Sequence, residues 1–299
     1  MPTISKGDKV LVTGANGYAA MWATRLFLER GYSVRGTVRS DDKAQDVKNY
    51  FNSIGLGKRL ELVIVKDISK NGAFDEAVKG VDAIAHMASP FHCSQTCLVD
   101  VATEFLGPAI EGTVGILKSA SSTGTKVKRI VITSSTAAVM SPPDQPTTFS
   151  ASDWNTKDPK LVEEFGSKLQ PWTIYRASKS LAEKAAWEYY EQHKSEIHWD
   201  LTVLNPPFIF GPPIHKVDSS SSLNTSMQSW FDNVVDGRNI TKEDLSDSTC
   251  WIDVRDAALA HVLSLEKPEA GGERIIITEG GFIWQEWRKA LFSLFYDQT

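Results

Sequence analysis

Cysteine is scarce, with three in 299 residues (Cys93, Cys97 and Cys250). An odd, low count excludes a disulfide framework and points to free thiols in a reducing, cytoplasmic compartment. The spacing of His92, Cys93 and Cys97 matches no zinc pattern, so no metal is expected. No apolar run approaches the roughly 18 residues a membrane-spanning helix needs. The opening MPTISKGDKVLVTGANG lacks an apolar core and a small-residue cleavage site, so no signal peptide is expected. Positive charge is not in excess. Lys and Arg number 32 against 37 Asp and Glu, net −5, which argues against nucleic acid or an anionic membrane as partner. No repeat with a period of about 20 to 50 residues occurs, which removes solenoids. The remainder is a globular chain, 41% hydrophobic, long enough to bury roughly three quarters of its unfolded surface.

What is present is alternation. Apolar, β-branched runs at Lys9–Thr13, Ser33–Val38, Leu60–Val65, Asp82–Met87 and Lys128–Thr133 read as strands. Gly17–Glu29, Asp42–Phe51, Asn71–Val78 and Leu98–Ser122 carry helical patterns between them, with Gly31 as a helix stop. Near-continuous apolar strands alternating with helices predict an α/β fold with a doubly wound parallel sheet, the Rossmann arrangement. After about residue 135 the pattern loosens. Residues 141–171 form an irregular insert with room for one short helix. Tyr175–Gln192 is a strong helix, and Leu201–Leu204 a strand stopped by Pro206 and Pro207. Residues 211–250 are loop-rich. Trp251–Val254 and Glu273–Thr278 read as strands, Arg255–Leu265 and Ile283–Phe295 as helices. The expected organisation is a dinucleotide-binding core over 1–205 and a small C-terminal substrate lobe over 206–299, with 251–265 and 273–278 returning to the core.

Several motifs fall on this frame. VTGANGYAA follows the first strand and opens a helix. Gly14 permits a tight turn, Gly17 lets backbone N–H groups approach a pyrophosphate, and Ala20 allows close packing. A glycine turn of another α/β fold is the plainer alternative, but the strand–turn–helix context favours a dinucleotide. The second strand ends Thr37-Val38-Arg39, where an NAD site would place a carboxylate for the ribose 2′-OH. The Arg39 guanidinium suits a 2′-phosphate instead, with Lys43 one turn further on, so NADP(H) is the expected cofactor. Asp41 and Asp42 can be read as charging the next helix's N-terminus. Asp67 could accept from an adenine amino group or cap a turn, and the residues leave both open. HMASP, 86–90, is a small-residue turn over which a cofactor could lie, or only the turn before Pro90.

Tyr-x-x-x-Lys occurs twice, as Tyr175…Lys179 and Tyr190…Lys194. Ligands of a parallel sheet bind beyond the carboxyl ends of its strands, where the following helices begin. Tyr175 and Lys179 lie at that start. The second pair lies roughly 22 Å further along, at 1.5 Å per residue, on the wrong side of the sheet. Residues four apart share a helix face, so Lys179 is expected to lower the Tyr175 pKa and make it a usable proton donor or acceptor. TSSTAAVM, 133–140, ends the fifth strand in a cluster of hydroxyls, either a polar cap or part of a site.

VTGANGYAA, TSSTAAV, YRASK and LNPPFIFGPP, in this order, resemble the extended short-chain dehydrogenase/reductase family. RGTVRS, HMASP and WIDVRDAALAHVLSLE are similar to its dihydroflavonol reductase, cinnamoyl-CoA reductase and fungal aldehyde or methylglyoxal reductase branch. The resemblance covers nearly the whole chain and implies a Ser–Tyr–Lys triad acting with NADP(H). Carried over by motif, the triad is Ser135, Tyr175 and Lys179. Ser135 is preferred to Ser134 because the family's serine stands second after the threonine. The resemblance also implies cofactor contacts. They come from Thr13, Gly14, Asn16, Gly17, Tyr18 and Ala19 around the glycine turn, and from Arg39 and Lys43 at the 2′-phosphate. Asp67 and Ile68 would lie at the adenine, with Ala88 and Ser89 on the adenosine side and Thr133 at the strand end. Lys179 would hold the ribose, and Pro206, Phe208 and Ile209 would lie along the nicotinamide beside Tyr175. Phe91, Val139, Phe208 and Trp230 are expected to wall the substrate. Chains of this branch run on beyond the position of Thr299, so a more open pocket, or one completed by association, is expected. The chain is read as monomer or homodimer.

The resulting expectation is an NADPH-dependent carbonyl reductase taking small aldehydes or ketones. An NAD-dependent sugar epimerase or dehydratase and a non-catalytic dinucleotide-sensing regulator are the alternatives. Arg39 and the aromatic-rich inserts (Trp154, Trp172, Phe208, Trp230) speak against a sugar pocket. A sensor has no need of Tyr175 with Lys179.

Overall fold

The computed structural model describes residues 3–89, 101–124, 126–238 and 240–296. Its strands are Lys9–Thr13 (β1), Ser33–Val38 (β2), Leu60–Ile64 (β3), Ala83–His86 (β4), Arg129–Thr133 (β5), Asp200–Asn205 (β6), Phe208–Phe210 (β7), Ser248–Asp253 (β8), Arg274–Ile276 (β9) and Gly280–Ile283 (β10). Seven of them form one parallel sheet in the order β3-β2-β1-β4-β5-β6-β9. This is the doubly wound sheet expected, and the chain reverses direction across it between β1 and β4.

The helices are Tyr18–Glu29 (α1), Asp41–Ser53 (α2), Gly107–Thr123 (α3), Lys157–Phe165 (α4), Pro171–His193 (α5), Thr225–Trp230 (α6), Lys242–Ser246 (α7), Val254–Glu266 (α8) and Trp284–Tyr296 (α9). Side chains alternate across a strand, and both faces of this sheet are covered. Val10, Val12, Ala83, Ala85 and Val131 pack with α1, α2 and α8, while Leu11, Ile84, Ile130 and Ile132 pack with α3 and α5. Two buried faces explain why KVLVT and RIVIT read as continuous apolar runs rather than alternating ones.

β7, β8 and β10 build a second, three-stranded sheet. β8 runs parallel to β7 and antiparallel to β10. Phe210, Val234, Phe282 and Trp284 form its core. β7 and β10 carry little sequence signal, since one follows two prolines and the other begins with two glycines. The helix expected over Asn71–Val78 is a series of turns, with Gly72 at φ +73° and no regular ladder. The insert after residue 141 holds α4. Among the described residues no helix is long and apolar enough to cross a membrane.

Candidate active site

The site assembles at the carboxyl edge of the sheet, where β1 and β4 lie side by side at the switch point. Gly14 ends β1 at φ +66°, a conformation costly for any residue with a Cβ. A Cβ there would also lie 3.1 Å from the Ala88 backbone. Gly17 caps α1 without a side-chain bond, and no acidic residue stands in the first turn. A glycine turn that feeds a helix N-terminus with no side-chain cap and no acidic first turn fits a pyrophosphate. Asn16 and Ala19 flank it, half-buried. Arg39 stands exposed just after β2, and Lys43 lies in the first turn of α2. The N-cap of α2 is Ser40, so Asp41 and Asp42 merely charge its first turn.

Several expected cofactor side chains do other work. The Thr13 hydroxyl is buried, accepts from the N–H groups of Met87 and Ala88, and bonds His86 Nδ1 at 3.0 Å. It pins β1 to the turn after β4, and the Ala88 N–H is used in doing so, which leaves the expected backbone contact there to its carbonyl. The Tyr18 hydroxyl donates to the Gly211 carbonyl at 2.7 Å, and burial pushes its pKa well up. Thr133 Oγ1 bonds His261 Nε2 at 2.6 Å, turned toward α8. The Ile68 side chain packs beneath Gly112 of α3. Asp67 Oδ1 accepts from the Ser69 N–H at 3.0 Å and hydroxyl at 2.6 Å. Asp67 is therefore an exposed turn cap, held below its usual carboxylate range by those two bonds. Pro206 is buried and accepts from the Thr136 N–H.

At the end of β5 the two serines diverge. Ser134 Oγ donates to Glu183 Oε2 at 2.5 Å beneath the sheet edge. Ser135 caps the turn over Thr136–Ala138 and shares a side-chain hydrogen bond with Tyr175. Pro171 opens α5 at a first-turn position that needs no N–H bond, which sets Tyr175 just inside the helix. Lys179, one turn on, lies with Nζ 5.9 Å from the Tyr175 ring centre and 3.5 Å from Ser89 Oγ. The structure thus brings Ser135, Tyr175, Lys179 and Ser89 together. Burial raises the Tyr175 pKa, against the opposing Ser135 bond. The expected lowering by Lys179 is therefore not the dominant effect here, because desolvation disfavours phenolate more. Burial likewise lowers Lys179, to about 8, against the pull of Glu183. The other pair sits at the far end of α5. Tyr190 packs on Trp199 and Lys194 pairs with Glu191.

A cavity of about 990 Å³ opens from Ser135 and Tyr175. Phe208, Trp172 and Trp284 wall it, with Met140, Ser226 and Asn233 further along. Of the expected substrate residues that fall among the described ones, only Phe208 lines it. Val139 is 2% exposed, its side chain turned into the core, and Met140 lies at the cavity instead. Trp230 packs into the second sheet's core cluster. Phe91 falls outside the described residues. Trp172, three residues before Tyr175 and in edge contact with it at 5.7 Å, was the missed wall. Its place on the Tyr175 helix face was the signal that could have found it.

Residues 10–278 match the NAD dependent epimerase/dehydratase family. The chain belongs to this family. These are the extended short-chain dehydrogenases/reductases that the motifs resemble. An uncharacterised oxidoreductase of Schizosaccharomyces pombe is 40% identical over 297 residues, 98% of this chain and 84% of the relative. An NADPH-dependent methylglyoxal reductase of Saccharomyces cerevisiae is 36% identical over 287 residues, 93% of this chain and 80% of the relative. The crystal structure of Gre2 from Candida albicans in complex with NADPH is similar with a TM-score of 0.83 at 31% identity, over 97% of this chain and 83% of that one.

Proposed function

We propose that this family member is an NADPH-dependent carbonyl reductase that converts small aldehydes or ketones to alcohols. The observation that carries the reading is the Ser135–Tyr175 hydrogen bond, with Lys179 one turn away, at the mouth of the aromatic-walled cavity. The names of the methylglyoxal reductase and Gre2–NADPH relatives support it. Gly14, Gly17 and the α1 N-terminus would hold the pyrophosphate, Arg39 with Lys43 the 2′-phosphate, and Lys179 beside Ser89 the ribose. NADPH, when bound, supplies the hydride. Ser135 donates to the carbonyl oxygen and orients it. Tyr175 gives its proton to the same oxygen as negative charge develops there. Its raised pKa keeps it a phenol at neutral pH, the form that reduction needs. Lys179 then offsets the charge of the phenolate left behind. The aromatic wall excludes water and accommodates an apolar flank of the substrate. Residues 206–299, with the second sheet, are read as the substrate lobe over the 1–205 core.

Tyr175→Phe removes the proton donor and keeps the ring. Turnover of a panel of aldehydes and ketones, followed by NADPH absorbance, is expected to fall about 10²- to 10⁴-fold, the usual worth of general acid catalysis. NADPH binding by fluorescence titration is expected to persist. A variant that keeps near-normal turnover removes Tyr175 from the mechanism.

A further inference from the structure

One buried carboxylate has no part in the reaction described above. Glu183 has a fully buried side chain and lies one turn beyond Lys179 on α5. Its Oε2 accepts from Ser134 Oγ at 2.5 Å and from Asn205 Nδ2 at 2.8 Å, and its Oε1 accepts from Arg274 Nε at 2.5 Å. Each partner leads back to the site. Asn205, at the end of β6, donates from the same Nδ2 to the Ser135 carbonyl at 3.0 Å. Arg274, on β9, donates to the carbonyls of Ala138, Ala151 and Asp153, and stacks 3.8 Å over the Trp154 ring. The turn that carries Ser135 is thus held from both ends by groups that Glu183 anchors. A buried charge is costly, and an apolar core of equal volume is often at least as stable. A carboxylate kept at the meeting point of α5, β5, β6 and β9 therefore calls for more than packing.

We infer that Glu183 is the positioning residue of the proton-transfer site. It fixes the Ser134–Ser135 strand end against α5 and supplies the buried countercharge that keeps Lys179 an ammonium. The inference rests on the catalytic reading proposed for Ser135, Tyr175 and Lys179.

The charges around Lys179 support it. Glu183 from its own helix raises the Lys179 pKa against desolvation. Tyr175 beneath it is held as a phenol. His86, from β4, is neutral, its pKa pushed down to about 3 by burial first and by Lys179 second. Arg274 faces Glu183 from β9. Among the described residues Glu183 is thus the negative charge that acts on Lys179, and without it the ammonium is lost at lower pH.

The test is the pH profile of kcat/KM in purified variants. In Glu183→Gln the alkaline limb moves to lower pH. The rate falls about tenfold more near pH 8 than near pH 6, while the NADPH Kd near pH 6 stays within about threefold. In Glu183→Asp the charge is kept and the reach shortened, so kcat falls and the limb stays. If Glu183→Gln does not fold, Glu183→Gln/Arg274→Met removes both charges together, and the limb then moves the same way but less far, because Arg274 no longer adds its own repulsion of Lys179; an unmoved limb overturns the inference. A loss equal at all pH values marks a merely structural role and overturns the inference. Tyr175→Phe run in parallel separates the failures. If it is inactive and the Glu183→Gln limb is unmoved, only this inference falls. If it is active, the catalytic reading falls and takes the inference with it.

Discussion

Thr133 and Ser134 are neighbours, yet one hydroxyl meets His261 of α8 and the other Glu183 of α5. Alternation across β5 sends them to opposite layers of the sheet, and Ser135, just past the strand, meets Tyr175. Which residue types would matter was legible from TSST and YRASK. The resemblance already preferred Ser135 to Ser134 for the site, but what the Thr133 and Ser134 hydroxyls bind was not legible, because that depends on the layer each side chain meets. The same holds for Thr13 and Tyr18, whose polar atoms are used up inside the fold. Arg39→Ala is expected to weaken NADPH about ten- to a hundredfold and NADH little, since a charge-assisted phosphate bond is worth about 1.5–3 kcal/mol. Titration of both nucleotides checks this, and equal losses would mark Arg39 as a solvated strand end.

Helix α5 shows how an element converts spacing into geometry. Tyr175, Lys179 and Glu183 follow one another by single turns, so one rigid rod presents the phenol, the lysine beside it and a buried carboxylate one turn further on. Strand β5 is held as firmly at its other end. Arg129 is 1% exposed, pairs with Asp200 of β6 at 2.6 Å, and donates to the Ser264 carbonyl at 2.8 Å near the end of α8. Arg129→Met strands Asp200 as a buried, unpaired charge, and a loss of about 3–5 kcal/mol in denaturant unfolding is expected. Arg129→Met/Asp200→Leu is expected to recover much of it. A single variant as stable as the parent would show that the pair contributes nothing. Element boundaries were readable wherever periodicity was strong, as in β1, β2 and α8. They were not for β7 and β10, where prolines and glycines hide a strand that exists only because β8 lies between them.

At the scale of the whole molecule, burial sets a pH limit on the fold. His261 is fully buried, donating from Nδ1 to the Ala257 carbonyl at 2.7 Å, and its pKa is pushed down to about 4. The unfolded chain protonates this residue near the ordinary histidine value of 6.5. As pH falls from about 6.5 to about 4 the unfolded state gains a proton that the fold refuses, so stability is complete above that window and lost within it. The loss from His261 alone is about 3 kcal/mol. His86 acts with the same sign down to about 3. Thermal unfolding midpoints are expected to drop steeply between pH 6.5 and 4, and His261→Gln to flatten that slope. A parent protein with a flat profile in this window would show that His261 is not held neutral by the fold.

The sequence by itself determined the layered α/β plan and the glycine turn. It also marked the tyrosine–lysine pair at a helix start, because periodicity, turn chemistry and spacing are local properties of a chain. Only the tertiary structure decided that Glu183, Asn205 and Arg274 meet beneath Ser135, that Val139 and Trp230 are core while Trp172 is wall, and that Tyr175 keeps its proton. Those outcomes depend on desolvation and on contacts between residues tens to more than a hundred positions apart, which arise only when several strand ends close on one helix.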